Sequence, residues 1–146
     1  MKWSILTVGK PVFPWAREAA DNYLKRLSHY ATVDHIVVRD GPREQVESQM
    51  LAKSEKSLRV ILDERGKAYR SMALAQWVEQ QHLAGTKRIC LMIGAADGHS
   101  EGFRKQADAV WSLSTLTLQH EVALIVLLEQ IYRAHTILKK EPYHRE

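Results

Sequence analysis

The segment Leu113-Ser114-Thr115-Leu116-Thr117-Leu118 combines hydroxyl side chains with leucines in one uninterrupted run. A loop of this kind presents backbone N–H and C=O groups to the hydrogen-bonding edge of a flat ligand, while its leucines enclose the ring. Two other segments have similar potential: Leu62 with the charged run Asp63-Glu64-Arg65-Gly66-Lys67, and Gly94 to Ser100, with glycines at 94 and 98. The chain ends in Pro142-Tyr143-His144-Arg145-Glu146. Tyrosine and histidine stack on an unpaired base and arginine binds phosphate, so this ending is equipped for RNA. Each segment also has a plainer reading, as a turn or a chain end.

Missing motifs exclude other chemistries. His29, His35, His82, His99, His120, His135 and His144 show no H-x-x-x-H or H-E-x-x-H spacing, and there is no C-x-x-C, so no metal site is expected. Neither a G-x-G-x-x-G fingerprint nor a Walker loop occurs, which argues against a dinucleotide enzyme, kinase or NTPase. No serine lies in a G-x-S-x-G elbow. Cys90, the single cysteine, falls in the apolar run Ile89-Cys90-Leu91-Met92-Ile93 and reads as core in a reducing compartment.

The elements that must position these segments alternate. Strand patterns fall at 2–8, 33–38, 58–62, 88–93 and 109–112, and helical patterns at 15–27, 43–57, 72–83, 101–107 and 121–138, with Ser71 as a plausible N-cap. Such alternation predicts an α/β fold, a parallel sheet with helices on both faces. Ligands then bind beyond the carboxyl ends of the strands, where all three loops lie. A chain of 146 residues, 45% hydrophobic and 26% charged, fits one globular domain over 1–146. The longest apolar run, Val122 to Leu128, is far short of the roughly 20 residues of a membrane span, and no cleavable leader is evident, so a cytoplasmic protein is expected. The 21 Lys and Arg outnumber the 17 Asp and Glu, and the pI near 9.3 admits a nucleic-acid partner. The last helix is apolar over more than one face, which hints at a homodimer interface.

Several segments together carry a family resemblance. Trp111 through Leu118, His120, Glu129-Gln130-Ile131-Tyr132-Arg133-Ala134 and Pro142 through Glu146 resemble the RlmH family of SPOUT-class methyltransferases, as do Val8-Gly9-Lys10 and Leu62 through Lys67. The resemblance runs the length of the chain. It implies an α/β fold with a C-terminal trefoil knot, a homodimer joined through the knot and last helix, and S-adenosylmethionine as cofactor. It also implies 23S rRNA within the ribosome as substrate, methylated at N3 of a pseudouridine in the loop of a conserved helix. Cofactor positions carried over are Leu62, Gly94, Leu113, Ser114, Thr115, Leu116, Thr117 and Leu118, and substrate-side positions are Tyr143, His144 and Arg145. The chain departs from the family pattern at Ala95, where a second glycine is usual, and at Leu124, where a basic residue is common.

Under this reading, His144 or His120 is the candidate base for the imide proton at N3, with Arg145 or Arg133 stabilising negative charge. Lys10, Lys25, Arg26, Lys67, Arg104, Lys105, Lys139 and Lys140 are candidate phosphate contacts. Two alternatives remain open: a non-catalytic ribosome-binding dimer of the same fold, and a SPOUT methyltransferase with another RNA target.

Overall fold

The computed structural model describes residues 1–94 and 98–145. The elements run β1 (Lys2–Val8), α1 (Pro14–Leu27), β2 (Thr32–Val38), α2 (Arg43–Lys53), β3 (Leu58–Ala68), α3 (Ser71–Leu83), β4 (Arg88–Ile93), α4 (Glu101–Arg104), β5 (Ala109–Ser112) and α5 (His120–Leu138). The strands form one sheet in the order β2-β1-β4-β3-β5, and every pairing is parallel. Crossover helices are the reason, since parallel neighbours need a long connection.

Both faces of the sheet are covered, as the alternation predicts. On one face Trp3, Ile5, Ile89, Leu91 and Ile93 pack with Ala20 and Leu27 of α1, Leu74 and Val78 of α3, and Leu124, Leu127, Leu128 and Ile131 of α5. On the other, Leu6, Ile61, Cys90 and Met92 meet Val46 and Met50 of α2 and Phe103 of α4. Successive residues of β4 thus serve opposite cores, which is why that strand is apolar throughout. Cys90 is fully buried, and burial pushes its thiol up to about 11, so it has no nucleophilic role.

Helix α4 ends at Arg104 instead of 107, α1, β2 and α5 each begin one residue early, and three further boundaries differ from expectation for a local reason. Helix α2 stops at Lys53 instead of 57, because Lys56 takes a left-handed φ of 57°. Ser71 is the first residue of α3, not its cap, and its hydroxyl donates to Gln130 Oε1 of α5 at 2.7 Å. Strand β3 continues to Ala68 where a charged loop is expected after Leu62. Leu62 and Lys67 both register with Trp111, so residues 63–66 bulge from the ladder before pairing resumes at Ala68 and Ser112. Gly66 permits this, since a Cβ there would stand 2.6 Å from the Val110 carbonyl.

One core contact makes stability pH-dependent. Trp3 Nε1 donates to His135 Nε2 at 3.0 Å, so that nitrogen must stay unprotonated. Burial, aided by the positive charge of Lys139, pushes His135 down to about 4. An unfolded histidine titrates near 6.5, so the folded chain binds fewer protons below that pH; the contribution is complete above about 6.5 and is lost as pH falls toward 4. We expect this group to cost about 2–3 kcal/mol of stability over that window. Urea midpoints of the wild type and His135→Gln at pH 7 and pH 4.5 check it: the variant should lose less on acidification, and equal losses would contradict the assignment.

Candidate functional site

Beyond the carboxyl ends of β3 and β4 lies a cavity of about 590 Å³. Leu62 and Ile93 form its floor as the last residues of their paired stretches. The bulge brings Asp63, Glu64 and Arg65 to one side, Gly94, Gly98 and His99 bound another, and the chain after β5 supplies Leu113, Ser114, Leu116, Thr117 and Leu118. Gln119, His120 and Ala123 complete it at the start of α5. Its size and its mixture of leucines with a few polar groups suit a small organic ligand.

Hydrogen bonds hold the loops in place. Ser112 Oγ donates to the Ser114 carbonyl at 2.9 Å, and Leu116 N donates to Ser114 Oγ at 3.0 Å, so the hydroxyls at 112 and 114 shape the turn after β5. Thr117 Oγ1 donates to Glu64 Oε2 at 2.8 Å, joining that turn to the bulge. Gln119 caps α5, its side-chain oxygen accepting from the N–H groups of Glu121 and Val122. Buried Glu121 reaches the other way: Oε1 accepts from Val12 N at 2.7 Å and Phe13 N at 3.1 Å. It thereby ties the β1–α1 connection to the site, a role beyond the favourable charge at a helix N-terminus that sequence suggests.

Gly94 has a specific reason to lack a side chain. A Cβ there would lie 2.9 Å from both Cε1 and Nε2 of His99, whose imidazole therefore rests against the glycine. Burial holds His99 below the usual histidine range, and its ring also hydrogen-bonds the Met92 backbone. His99 Nε2 is buried with no hydrogen-bond partner among the described residues. Beside it, Asp63 is held below the ordinary carboxylate range, chiefly by the hydrogen bond from Arg65.

Leu62, Gly94, Leu113, Ser114, Leu116, Thr117, Leu118 and His120 are brought together around this cavity, whereas Thr115 is exposed and does not line it. Tyr143, His144 and Arg145 are not brought there by this chain. Tyr143 lies under the Arg133 guanidinium, 4.8 Å from ring centroid to Cζ, and its hydroxyl donates to Glu129 Oε1 at 3.4 Å. Burial, with hydrogen bonding to Tyr23, raises Tyr143 and keeps it a donor at neutral pH. Arg133 Nη1 donates to His144 Nδ1 at 3.1 Å, and Arg133 also pairs with Glu129 at 2.8 Å. The tail thus follows the second half of α5, while His120 opens the first. His120 and Arg133 are thirteen residues apart, about 20 Å along a helix.

Other expectations are revised in turn. Arg104, a candidate phosphate contact, has a partner within the chain: its Nη1 donates to the His99 carbonyl at 2.7 Å and faces Asp63 Oδ2 at 3.6 Å. Leu124, the position lacking a basic residue, is 2% exposed and belongs to the core. Ala95 and Asp97 lie outside the described residues. Asp63, Glu64, Arg65, Gly98 and His99 also line the cavity from the two loop segments singled out in the sequence, though no individual role is assigned to them there, and Ile93, Gln119 and Ala123 line it from outside those segments. Charged residues straight after an apolar strand were the available signal for the first three.

A family model described as Predicted SPOUT methyltransferase matches residues 1–144. The chain belongs to this family. It is 41% identical over 146 residues to the ribosomal RNA large subunit methyltransferase H of Deinococcus radiodurans, covering 99% of each chain. A Thermus thermophilus protein of the same name is 38% identical over 145 residues, again covering 99% of both. Among solved structures, a probable methylase family protein from Haemophilus influenzae superposes with a TM-score of 0.61 at 12% identity, over 99% of this chain and 70% of that one. A putative methylase family protein from Neisseria gonorrhoeae gives 0.58 at 13%, over 99% and 86%. These two likenesses show the fold alone. In this SPOUT methyltransferase the strand-end cavity is the candidate cofactor site.

Proposed function

We propose that the chain is an S-adenosylmethionine-dependent methyltransferase acting on N3 of a pseudouridine in the loop of a conserved 23S rRNA helix, on the assembled ribosome in the cytoplasm. The observation that carries the reading is the convergence of Leu62, Gly94 and the segment after β5 on one cavity in a member of this family. The full-length relatives named ribosomal RNA large subunit methyltransferase H favour large-subunit rRNA over another RNA and over a non-catalytic docking role.

The residues present suit the cofactor. Leucines at 62, 113, 116 and 118 supply apolar walls for adenine, and the backbone of Leu113 to Leu118 supplies its hydrogen-bonding edge. The unsatisfied His99 Nε2 and the carboxylate of Glu64 add polar groups to the lining that suit the charged end of such a ligand. S-adenosylmethionine, when bound, supplies an electrophilic methyl on a sulfonium. The chain's contribution is to hold the nucleophilic nitrogen in line with that methyl and to receive the proton leaving N3. Of the two candidate bases, His120 lines the cavity. The Nδ1 lone pair of His144 is occupied by Arg133, which can only donate.

The knot and homodimer belong to this reading. After the edge strand β5, the chain returns across the ends of β3 and β4 to line the cavity beside Gly94, and α5 then packs against α1 and α3. That return supports a threaded C-terminal segment. Val122, Ile125 and Val126 of α5 remain half-buried in the single chain, a face that a second copy can cover. The separation of Tyr143, His144 and Arg145 from the cavity fits an arrangement in which the tail of one protomer serves its partner's site.

Calorimetric titration with S-adenosylmethionine tests the cofactor site. Micromolar binding by the wild type should vanish in Gly94→Trp, whose indole must displace the His99 ring, while circular dichroism confirms that the variant is folded. Absence of wild-type binding, or equal binding by the folded variant, would overturn the assignment.

A further inference from the structure

Two adjacent carboxylates on the β3 bulge face the two loops that wall the cavity. Asp63, with a side chain 7% exposed, pairs with Arg104, and Arg104 Nη1 donates to the His99 carbonyl at 2.7 Å. Glu64 accepts from the Thr117 hydroxyl at 2.8 Å. A third carboxylate steadies the first loop from behind: Glu47 of α2 accepts from Ser100 N at 2.7 Å and Ser100 Oγ at 2.6 Å. The β4–α4 loop and the β5–α5 loop are therefore fastened to neighbouring residues of one strand, although they approach from opposite sides.

We propose that Asp63 and Glu64 act as a buckle, positioning residues that set the separation of the cavity's two loop walls, Asp63 through Arg104 and Glu64 through Thr117. The inference rests on the strand-end cavity being the cofactor site. The bulge is anchored at both ends, since Leu62 and Lys67 pair with Trp111 and Gly66 lies close against the Val110 backbone. Both arms carry a charge-assisted hydrogen bond, Arg104 to the His99 carbonyl and Thr117 to the Glu64 carboxylate. The Arg104 arm outweighs the other because it and Asp63 are shielded from solvent whereas Glu64 is exposed. Preorganised walls spare the ligand the cost of ordering them, and the effect appears in cofactor affinity before it appears in chemistry.

Affinity for S-adenosylmethionine measured by calorimetry on the full chain, with methylation kinetics on ribosomes, tests the buckle. Arg104→Met should weaken binding about tenfold and Glu64→Ala about threefold. Arg104→Lys and Glu64→Gln, which each keep a donor or an acceptor, should recover part of the loss. KM for the cofactor should rise by more than kcat falls, and thermal midpoints should not track affinity across the set. Wild-type affinity in both Arg104→Met and Glu64→Ala would overturn the proposal. So would affinity losses that scale with lost thermal stability, or conservative variants no better than the truncations. Absence of wild-type binding, or equal cofactor binding by the wild type and folded Gly94→Trp, would instead defeat the underlying site assignment, which keeps the two failures distinct.

Discussion

His120→Ala is expected to slow methyl transfer about 10²–10⁴-fold at saturating cofactor and ribosomes, the usual contribution of a positioned general base. The imidazole stands at the mouth of the cavity on the first residue of α5, with Nδ1 3.5 Å from the Gln119 side-chain amide. Its removal leaves the leucine-lined walls and the carboxylates untouched, so cofactor affinity should change little while the single-turnover rate collapses. His144→Ala should produce a smaller defect, because its Nδ1 lone pair is already engaged by Arg133. Rapid-quench single-turnover measurements on ribosomes separate the two: a wild-type rate in His120→Ala would remove that residue as base and return the role to His144.

Gly66→Val should cost about 3 kcal/mol, because overpacking against backbone cannot be relieved by a rotamer change. The new Cβ would meet the Val110 C and O atoms at 2.6 Å and Trp111 C at 2.8 Å. For a chain of this size that corresponds to a thermal midpoint lower by about 6–12 °C. The same substitution moves Asp63 and Glu64 relative to the loops they hold, so weaker cofactor binding should accompany the stability loss. Differential scanning calorimetry on Gly66→Ala and Gly66→Val checks this, and a wild-type midpoint in either would contradict the close approach of β3 and β5.

The architecture was legible because the period of apolar residues is clean where it matters. Ile89, Leu91 and Ile93 alternate with Cys90 and Met92, and the structure sends the two sets to opposite cores. The helical spacing of α5 is equally plain, and the Glu129–Arg133 pair expected at i,i+4 is present. Strand β3 was legible only to Leu62. Its continuation is written in charged residues and a glycine, whose local preferences spell a turn, and only pairing with β5 draws Lys67 and Ala68 back into the sheet.

The site was legible where segments end strands and illegible where it depends on distant partners. Leu62, Gly94 and the segment after β5 can be placed together from the rule for parallel sheets. Nothing local announces that Arg104 spans Asp63 and the His99 carbonyl, that Glu121 holds the N–H groups of Val12 and Phe13, or that Gly94 leaves room for the His99 ring. The tail shows the same limit from the other side. Tyr143, His144 and Arg145 have the residue types of an RNA site, yet Tyr143 and His144 are placed by Glu129, Arg133 and Tyr132 on α5, beyond the reach of spacing arguments.

The most direct test of the account is methyl transfer itself. Purified protein, methyl-labelled S-adenosylmethionine and ribosomes lacking the modification should yield label in 23S rRNA. Nucleoside mass analysis should then place it on pseudouridine at N3. Label on another nucleoside, or none with a protein that binds the cofactor, would contradict the proposed function.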